Sequence, residues 1–118
     1  GNVIQWTYFG NPNQIWWGRS RGGTGGFSFL NKYSGKVLDV AGVSTVSGAN
    51  VHQWDDVRGA NQTWLPSSSD GVWWTFRPNH APGQCLDISA GNTADGANVQ
   101  QWQCNGLTPQ QFALTPTP

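Results

Sequence analysis

Asp39, Trp54, Asn61 and Gln62 stand close together in the chain, and Asp87, Trp102 and Gln110 repeat their spacing. Each set combines a carboxylate, an indole and one or two amides. An ionised carboxylate accepts hydrogen bonds from hydroxyl groups. Amides both donate and accept, and an indole offers an apolar face with a polar edge. Together these groups suit a neutral, polyhydroxylated ligand with one C–H face, which is the chemistry of a sugar ring. In this reading Trp54 is the stacking platform and Asp39 accepts bonds from two hydroxyls. Asn61 and Gln62 frame the ring from the far loop. Asp87, Gln100, Trp102 and Gln110 form the second set, in which Pro109 stands at the position of Asn61 and has no amide to donate. Each residue also has a plainer reading. The aspartates could cap turns, and the two tryptophans could be core.

Catalysis has less support. Glycoside hydrolysis needs two carboxylates across one bond. The six acidic residues are Asp39, Asp55, Asp56, Asp70, Asp87 and Asp95, with no glutamate. Asp39 and Asp87 fall in different repeats. Asp55 and Asp56 are adjacent in a turn without the desolvation that raises a carboxyl pKa. No G-x-S-x-G nucleophile elbow occurs. No Cys/His cluster has zinc spacing, and neither His52 nor His80 has a ligand-like partner spacing, so neither a metal nor a cofactor is expected. The chain is expected not to be an enzyme.

The elements that would position these residues follow from a repeat. Trp6, Trp54 and Trp102 stand 48 residues apart, as do Trp16, Trp64 and Phe112. The same interval relates Asn2, Asn50 and Asn98; Val3, Val51 and Val99; Gln5, Gln53 and Gln101; and Gln14, Gln62 and Gln110. Leu38-Asp39-Val40 recurs as Leu86-Asp87-Ile88, Gly35 as Gly83, and Gly48 as Gly96. Such self-similarity marks a repeat architecture. No stretch has helical periodicity. Short alternating runs such as "GFSFLN", "KVLDV", "NVHQW" and "VWWTF" are separated by the turn signals "YSGK", "SSSDG", "APGQ" and "CNG". "VWWTF" is expected to turn Val72, Trp74 and Phe76 to one face, leaving Trp73 unassigned. "KVLDV" sets Leu38 opposite Val37 and Asp39, and "QTWLP" is a strand ending at its proline. Each repeat therefore reads as four short strands, and the fold class is all-β, a β-trefoil of three units. A four-stranded propeller blade has a similar period, but three blades are too few to close a propeller.

The repeats run from 26 to 72 and from 73 to 114, with 115–118 as a tail or linker start. Residues 1–25 form a partial first repeat lacking its N-terminal half, whose full copy would begin about 22 residues before Gly1. That leaves two strands wanting, a gap that would expose strand edges and core tryptophan. A trimmed N-terminus or a segment from another chain is the expectation. "GRSRGGTGG" is expected to be an exposed, flexible connection. Trp16, Trp64 and Phe112 are expected in the core. Gln53 and Gln101, facing away from the platforms by strand alternation, are expected to be structural.

Composition agrees with a binding module. The 118 residues suffice for one core. Net charge is zero and charged residues make up 10%, so no basic patch supports nucleic-acid binding. No apolar run is long enough for a membrane helix, and no membrane insertion is expected. Gly1 is not a natural start, which suggests processing. Cys85 and Cys104 are either one disulfide or two buried thiols.

"GKVLDVAGVSTVSGANVHQWDDVRGANQTW" and "GQCLDISAGNTADGANVQQWQCNGLTPQQF" resemble the repeats of ricin B-chain-type lectins, also called carbohydrate-binding module family 13. The shared features are Leu-Asp-Val/Ile, Gly-Ala-Asn-Val, Gln-Trp and the closing Gln-x-Trp, here 14–16, 62–64 and, with Phe112 in the last place, 110–112. The resemblance covers nearly the whole chain. It implies a disulfide between Cys85 and Cys104, whose repeat-two counterparts are Val37 and Asp56, and hence an extracellular, secreted protein. It also implies that the residue two before the platform, His52, takes part in binding. In the first repeat it marks Trp6, Asn13 and Gln14 as weaker candidates, since no aspartate precedes them and Ile4 replaces the polar residue. The ligands it implies are galactose- or xylose-type sugars and their polymers, each site binding weakly and several adding avidity. "LTPTP" resembles a linker start, which points to an attached catalytic domain in a secreted glycoside hydrolase. The alternatives are a free-standing lectin or toxin-binding arm that recognises cell-surface glycans, and a trefoil protease inhibitor.

Overall fold

Alternating β-branched or aromatic residues between turn residues favour short strands, because each such strand can bury one face. In a computed structural model of the chain, residues 2–5, 15–20, 26–31, 34–88 and 99–116 are described, with side chains for 18–20, 26–31, 34–88 and 99–112. Ten strands follow in order: β1 (Asn2–Gln5), β2 (Ile15–Ser20), β3 (Phe27–Asn31), β4 (Val37–Val40), β5 (Val51–Trp54), β6 (Trp64–Ser67), β7 (Trp73–Pro78), β8 (Gln84–Ile88), β9 (Val99–Gln103) and β10 (Phe112–Pro116). The second and third repeats contribute four strands each, as the turn signals predict. No α-helix occurs among the described residues.

Six strands form the barrel wall in the order β2–β1–β10–β7–β6–β3, with β3 closing back on β2. The hairpins β4–β5 and β8–β9 stand outside this ring. They carry the Leu-Asp-Val/Ile and Gln-Trp motifs face to face: Asp39 lies opposite His52, and Asp87 opposite Gln100. The core collects Phe29, Leu38, Val40, Val51, Trp64, Phe76, Leu86, Ile88 and Phe112. Phe29 meets Phe76 edge-on, with centroids 4.9 Å apart. Burying a ring of this size contributes about 1.5–3 kcal/mol. Trp64 is fully buried, and its indole N–H donates to the Leu38 carbonyl at 3.3 Å, so no donor is left unpaired. Trp64 and Phe112 thus hold the core positions expected of them. The side chain of Trp16 lies outside the described residues.

Several local expectations need correction. By sequence register β1 is the copy of β5, the outer hairpin strand. Yet it pairs with both β10 and β2, as β7 pairs with β6 and β10, and so completes the wall where a gap was expected. Gly18, Arg19 and Ser20, expected in a flexible connection, extend β2 against β3; residues 21–25 lie outside the described set. Val72 is exposed, so the inward alternation starts only at Trp74, which packs against the core beside Phe76. Trp73 is half exposed. Val37 is buried although it faces away from Leu38, and β4 is therefore covered on both faces. Strand β6 runs one residue past Pro66, and β10 runs to Pro116, beyond the expected end of the third repeat at 114.

The disulfide is present. Cys85 on β8 is joined to Cys104, just beyond β9, with a Cα–Cα distance of 5.1 Å. It staples the β8–β9 hairpin at the end where repeat two has Val37 and Asp56.

Candidate functional site

The Leu-Asp-Val strand places Asp39 on the outward side of β4, and the pleat of β5 projects His52 and Trp54 on one face beside it. After the turn that follows β5, a short 3-10 turn (Ala60–Gln62) brings Asn61 and Gln62 back to the same carboxylate. Three side chains converge there. His52 Nε2 lies 2.8 Å from Asp39 Oδ1. Asn61 Nδ2 donates to Oδ2 at 3.2 Å and to the Val40 carbonyl at 3.1 Å. Gln62 Nε2 donates to Oδ2 at 2.8 Å and to the Asp55 carbonyl at 2.9 Å. A Cβ on Gly59 would lie 2.6 Å from Asn61 Oδ1, so a larger residue at this corner would have to displace the Asn61 amide.

A shallow cleft of about 260 Å³ opens over these groups, lined by Asp39, His52, Trp54 and Asn61 together with Gly42, Val43 and Val57. Trp54 is 55% exposed, and one of its faces stacks on His52 with centroids 5.4 Å apart and planes 18° from parallel. Asp39 is only 6% exposed. The cleft therefore offers a nearly buried acceptor at its floor and an exposed indole at its wall. Val43 and Val57, both exposed, add apolar surface that sequence reasoning missed. The signal for Val43 lies in its backbone: φ is 53°, a left-handed conformation rare for a β-branched residue, and nothing in the letters "AGV" announces it.

Gln62 is not at the cleft. It is fully buried behind Asp39, and its Oε1 accepts from the Val57 and Gly59 backbone N–H groups at 3.0 and 3.3 Å. Its expected part in framing a ligand is corrected to one of holding Asp39 and the turn after β5. Gln110 is its counterpart. It too is fully buried, donating to Asp87 Oδ2 and the Gln103 carbonyl, both at 3.0 Å, and accepting from Asn105 N at 2.9 Å.

The rest of repeat three follows the same plan. Gln100 Nε2 donates to Asp87 Oδ1 at 3.2 Å, Asp87 is 6% exposed, and Trp102 is 44% exposed. Pro109 replaces Asn61, so among the described residues Asp87 Oδ2 has the Gln110 amide where Asp39 Oδ2 has two amides. Residues 89–98, which include the counterparts of Gly42 and Val43, lie outside the described residues. So do Trp6, Asn13 and Gln14 of the first repeat. Asp39 and Asp87 sit in separate hairpins and are not brought together. Among the described residues, no three metal-ligating side chains cluster.

The two neighbouring amides differ in environment. Gln101 is buried, and its Nε2 donates to the Ser44 and Val46 carbonyls at 2.8 and 2.9 Å. Gln53 is exposed and meets Ser34 Oγ. Gln101 anchors the loop that leaves the repeat-two cleft. His80 Nε2 lies 2.6 Å from the same Ser44 carbonyl. Farther along that loop, the Gly48 N–H donates to the Gln101 carbonyl at 2.8 Å, and Ser47 Oγ accepts from Gln103 N at 2.9 Å. At Gly48, with φ at 91°, a Cβ would lie 3.6 Å from the Trp102 ring.

The comparisons with known proteins agree with this geometry. The family model described as ricin-type beta-trefoil lectin domain-like matches residues 1–54, 12–102 and 60–118. The chain is 37% identical to a designed threefold-symmetric protein, ThreeFoil, over 99% of its own length and 82% of that chain, with a TM-score of 0.85. It is 29% identical to an exo-β-1,3-galactanase from Clostridium thermocellum, covering 98% of itself but only 25% of the galactanase, with a TM-score of 0.83. It shares 18% identity with the Macrolepiota procera ricin B-like lectin in complex with lactose, covering 98% of itself and 81% of that chain, with a TM-score of 0.76, a likeness of fold alone. No curated protein matches it significantly. The family match across all three repeats, on a trefoil whose hairpins each present an aspartate beside an exposed indole, makes the chain a member of the ricin-type β-trefoil lectin domain-like family.

Proposed function

We propose that the chain is a carbohydrate-binding module that takes galactose- or xylose-type sugars at two sites. The first comprises Asp39, His52, Trp54 and Asn61; the second comprises Asp87, Gln100 and Trp102. The observation that carries this reading is the cleft of repeat two, where a 6% exposed carboxylate lies beside a 55% exposed indole. A sugar hydroxyl donates to Asp39 Oδ1, the ring C–H face stacks on the free side of Trp54, and Asn61 lies within reach of a neighbouring hydroxyl. A shallow site of this kind binds a single sugar at about millimolar Kd, near −4 kcal/mol. Two such sites on one domain add avidity on a polymer.

The galactanase supports a glycoside hydrolase as the parent protein, since its chain includes a region 29% identical to this one. The disulfide supports an extracellular setting. Titration calorimetry with galactose, lactose and xylo-oligosaccharides tests the reading. At least one should bind the wild type, and Asp39→Ala and Asp87→Ala should each remove one site while keeping the strand spectrum. If none binds, or if both variants bind as the wild type does, the reading is wrong.

A further inference from the structure

The two sites share one scaffold and differ at two groups beside the carboxylate: Pro109 stands in place of Asn61 at Oδ2, and Gln100 in place of His52 at Oδ1, the oxygen left to a ligand. In repeat two, Asp39 Oδ2 receives two amide donors, Asn61 and Gln62, which fill its lone pairs. What remains for a ligand is on Oδ1, and His52 Nε2 already holds one side of that atom at 2.8 Å. In repeat three the corresponding donor to Asp87 Oδ1 is the Gln100 amide at 3.2 Å. An amide keeps one charge state across physiological pH, whereas an imidazole does not.

From this difference we infer that His52 makes the repeat-two site proton-gated, binding sugar while the imidazole is neutral and weakening when it is protonated, whereas the repeat-three site binds independently of pH. The inference rests on the carbohydrate-binding reading above. Neutral His52 donates one ordinary bond through Nε2 and leaves the charge of Asp39 available to a ligand hydroxyl. Protonated His52 turns the same contact into an ion pair. The carboxylate then gains less from a sugar hydroxyl, and the remaining lone pair on Oδ1 lies beside a competing cation. The imidazolium would also grip Trp54, on which the ring already stacks, by a cation–π attraction that resists adjustment of the platform.

Among the described residues, no other charge lines the cleft. From β4 the group facing His52 is Asp39. Along β5 it is Trp54, and from the turns it is Val43, Val57 and Asn61, all neutral. The His52 side chain is 34% exposed, so solvent protons reach it without opening the fold. The sign follows directly: affinity at repeat two is full while His52 is neutral and falls when acidification protonates it.

The test is a sugar titration of the full chain, ¹⁵N-labelled at tryptophan, with galactose and with xylotriose at pH 7.5 and pH 5.0. The indole N–H signals of Trp54 and Trp102 report the two sites separately. The expected result is a Kd at Trp54 that rises about fivefold on acidification, with the Kd at Trp102 constant within about twofold. The ratio of the two Kd values at Trp54 should fall to about one in His52→Gln, and Gln100→His should transfer the pH dependence to Trp102. An unchanged Kd at Trp54, an equal loss at both sites, or a pH dependence that survives His52→Gln overturns the inference while leaving carbohydrate binding intact. If neither sugar moves either signal at either pH, the carbohydrate reading itself fails and takes the inference with it.

Discussion

The burial of Gln62 separates a residue that touches ligand from one that builds the site. In Gln62→Met the side chain keeps nearly its volume and loses every hydrogen bond. Four contacts go: Nε2 to Asp39 Oδ2 and to the Asp55 carbonyl, and Oε1 from Val57 N and Gly59 N. A neutral bond is worth about 1 kcal/mol and one to a carboxylate about 1.5–3 kcal/mol. Two losses are softened. The Asp55 and Val57 groups stand near the surface and can take water, and Asp39 Oδ2 keeps Asn61. The net cost should be about 2–4 kcal/mol, a large share of the total stability of a domain this size. Urea denaturation followed by tryptophan fluorescence would show it as a midpoint lowered by about 1–3 M at unchanged slope. Sugar affinity measured below the transition should fall only modestly, because the groups that line the cleft remain. A loss of less than about 1 kcal/mol, or an abolished repeat-two site in a fully stable protein, would refute the assignment of Gln62 to the scaffold.

Trp54→Ala should weaken sugar binding at repeat two about tenfold and change stability by no more than about 0.5 kcal/mol, because the indole is more than half exposed; titration and thermal melting check the pair. Reducing Cys85–Cys104, which closes a separation of 19 residues, should cost about 3 kcal/mol by the chain-entropy model and lower the melting temperature in dithiothreitol. The carboxyl of Asp70 should titrate below the usual aspartate range, because the Trp73 and Val72 backbone N–H groups and Ser68 donate to it. A depressed carboxyl stabilises the fold above its unfolded value, and that contribution is lost as pH falls through its folded value. Carbon-detected NMR titration reads the midpoint, and an ordinary aspartate value would contradict the turn geometry.

The repeat made the architecture legible. Positions 48 apart can keep the same residue types only if they meet the same surroundings, and Leu38/Leu86 and Trp64/Phe112 do so in the core. That each outer hairpin would hold an aspartate beside a tryptophan was readable for the same reason. The division of labour among the amides was not. Asn61 and Gln62 are adjacent letters of similar chemistry, and only the path of the 3-10 turn puts one at the cleft and the other behind the carboxylate. Strand β1 shows a second limit. Val3 and Gln5 repeat Val51 and Gln53, but a strand takes the role that open pairing edges offer it, so one motif forms barrel wall in one copy and hairpin in another. Val43 escaped notice because its part depends on a backbone angle rather than a side-chain pattern.

The loop after β4 has one end in each site. Val43 lines the repeat-two cleft, while Ser47, Gly48 and Ala49 are bonded along β9 next to Trp102. A connection held by that many bonds behaves as a strut rather than a tether, and so sets a fixed pitch between the repeat-two cleft and Trp102. On the function proposed above, the domain would then act as a ruler on a branched polysaccharide, engaging both proposed sites only where side-chain sugars recur at that pitch, and telling apart polymers of the same sugar by how densely they are decorated.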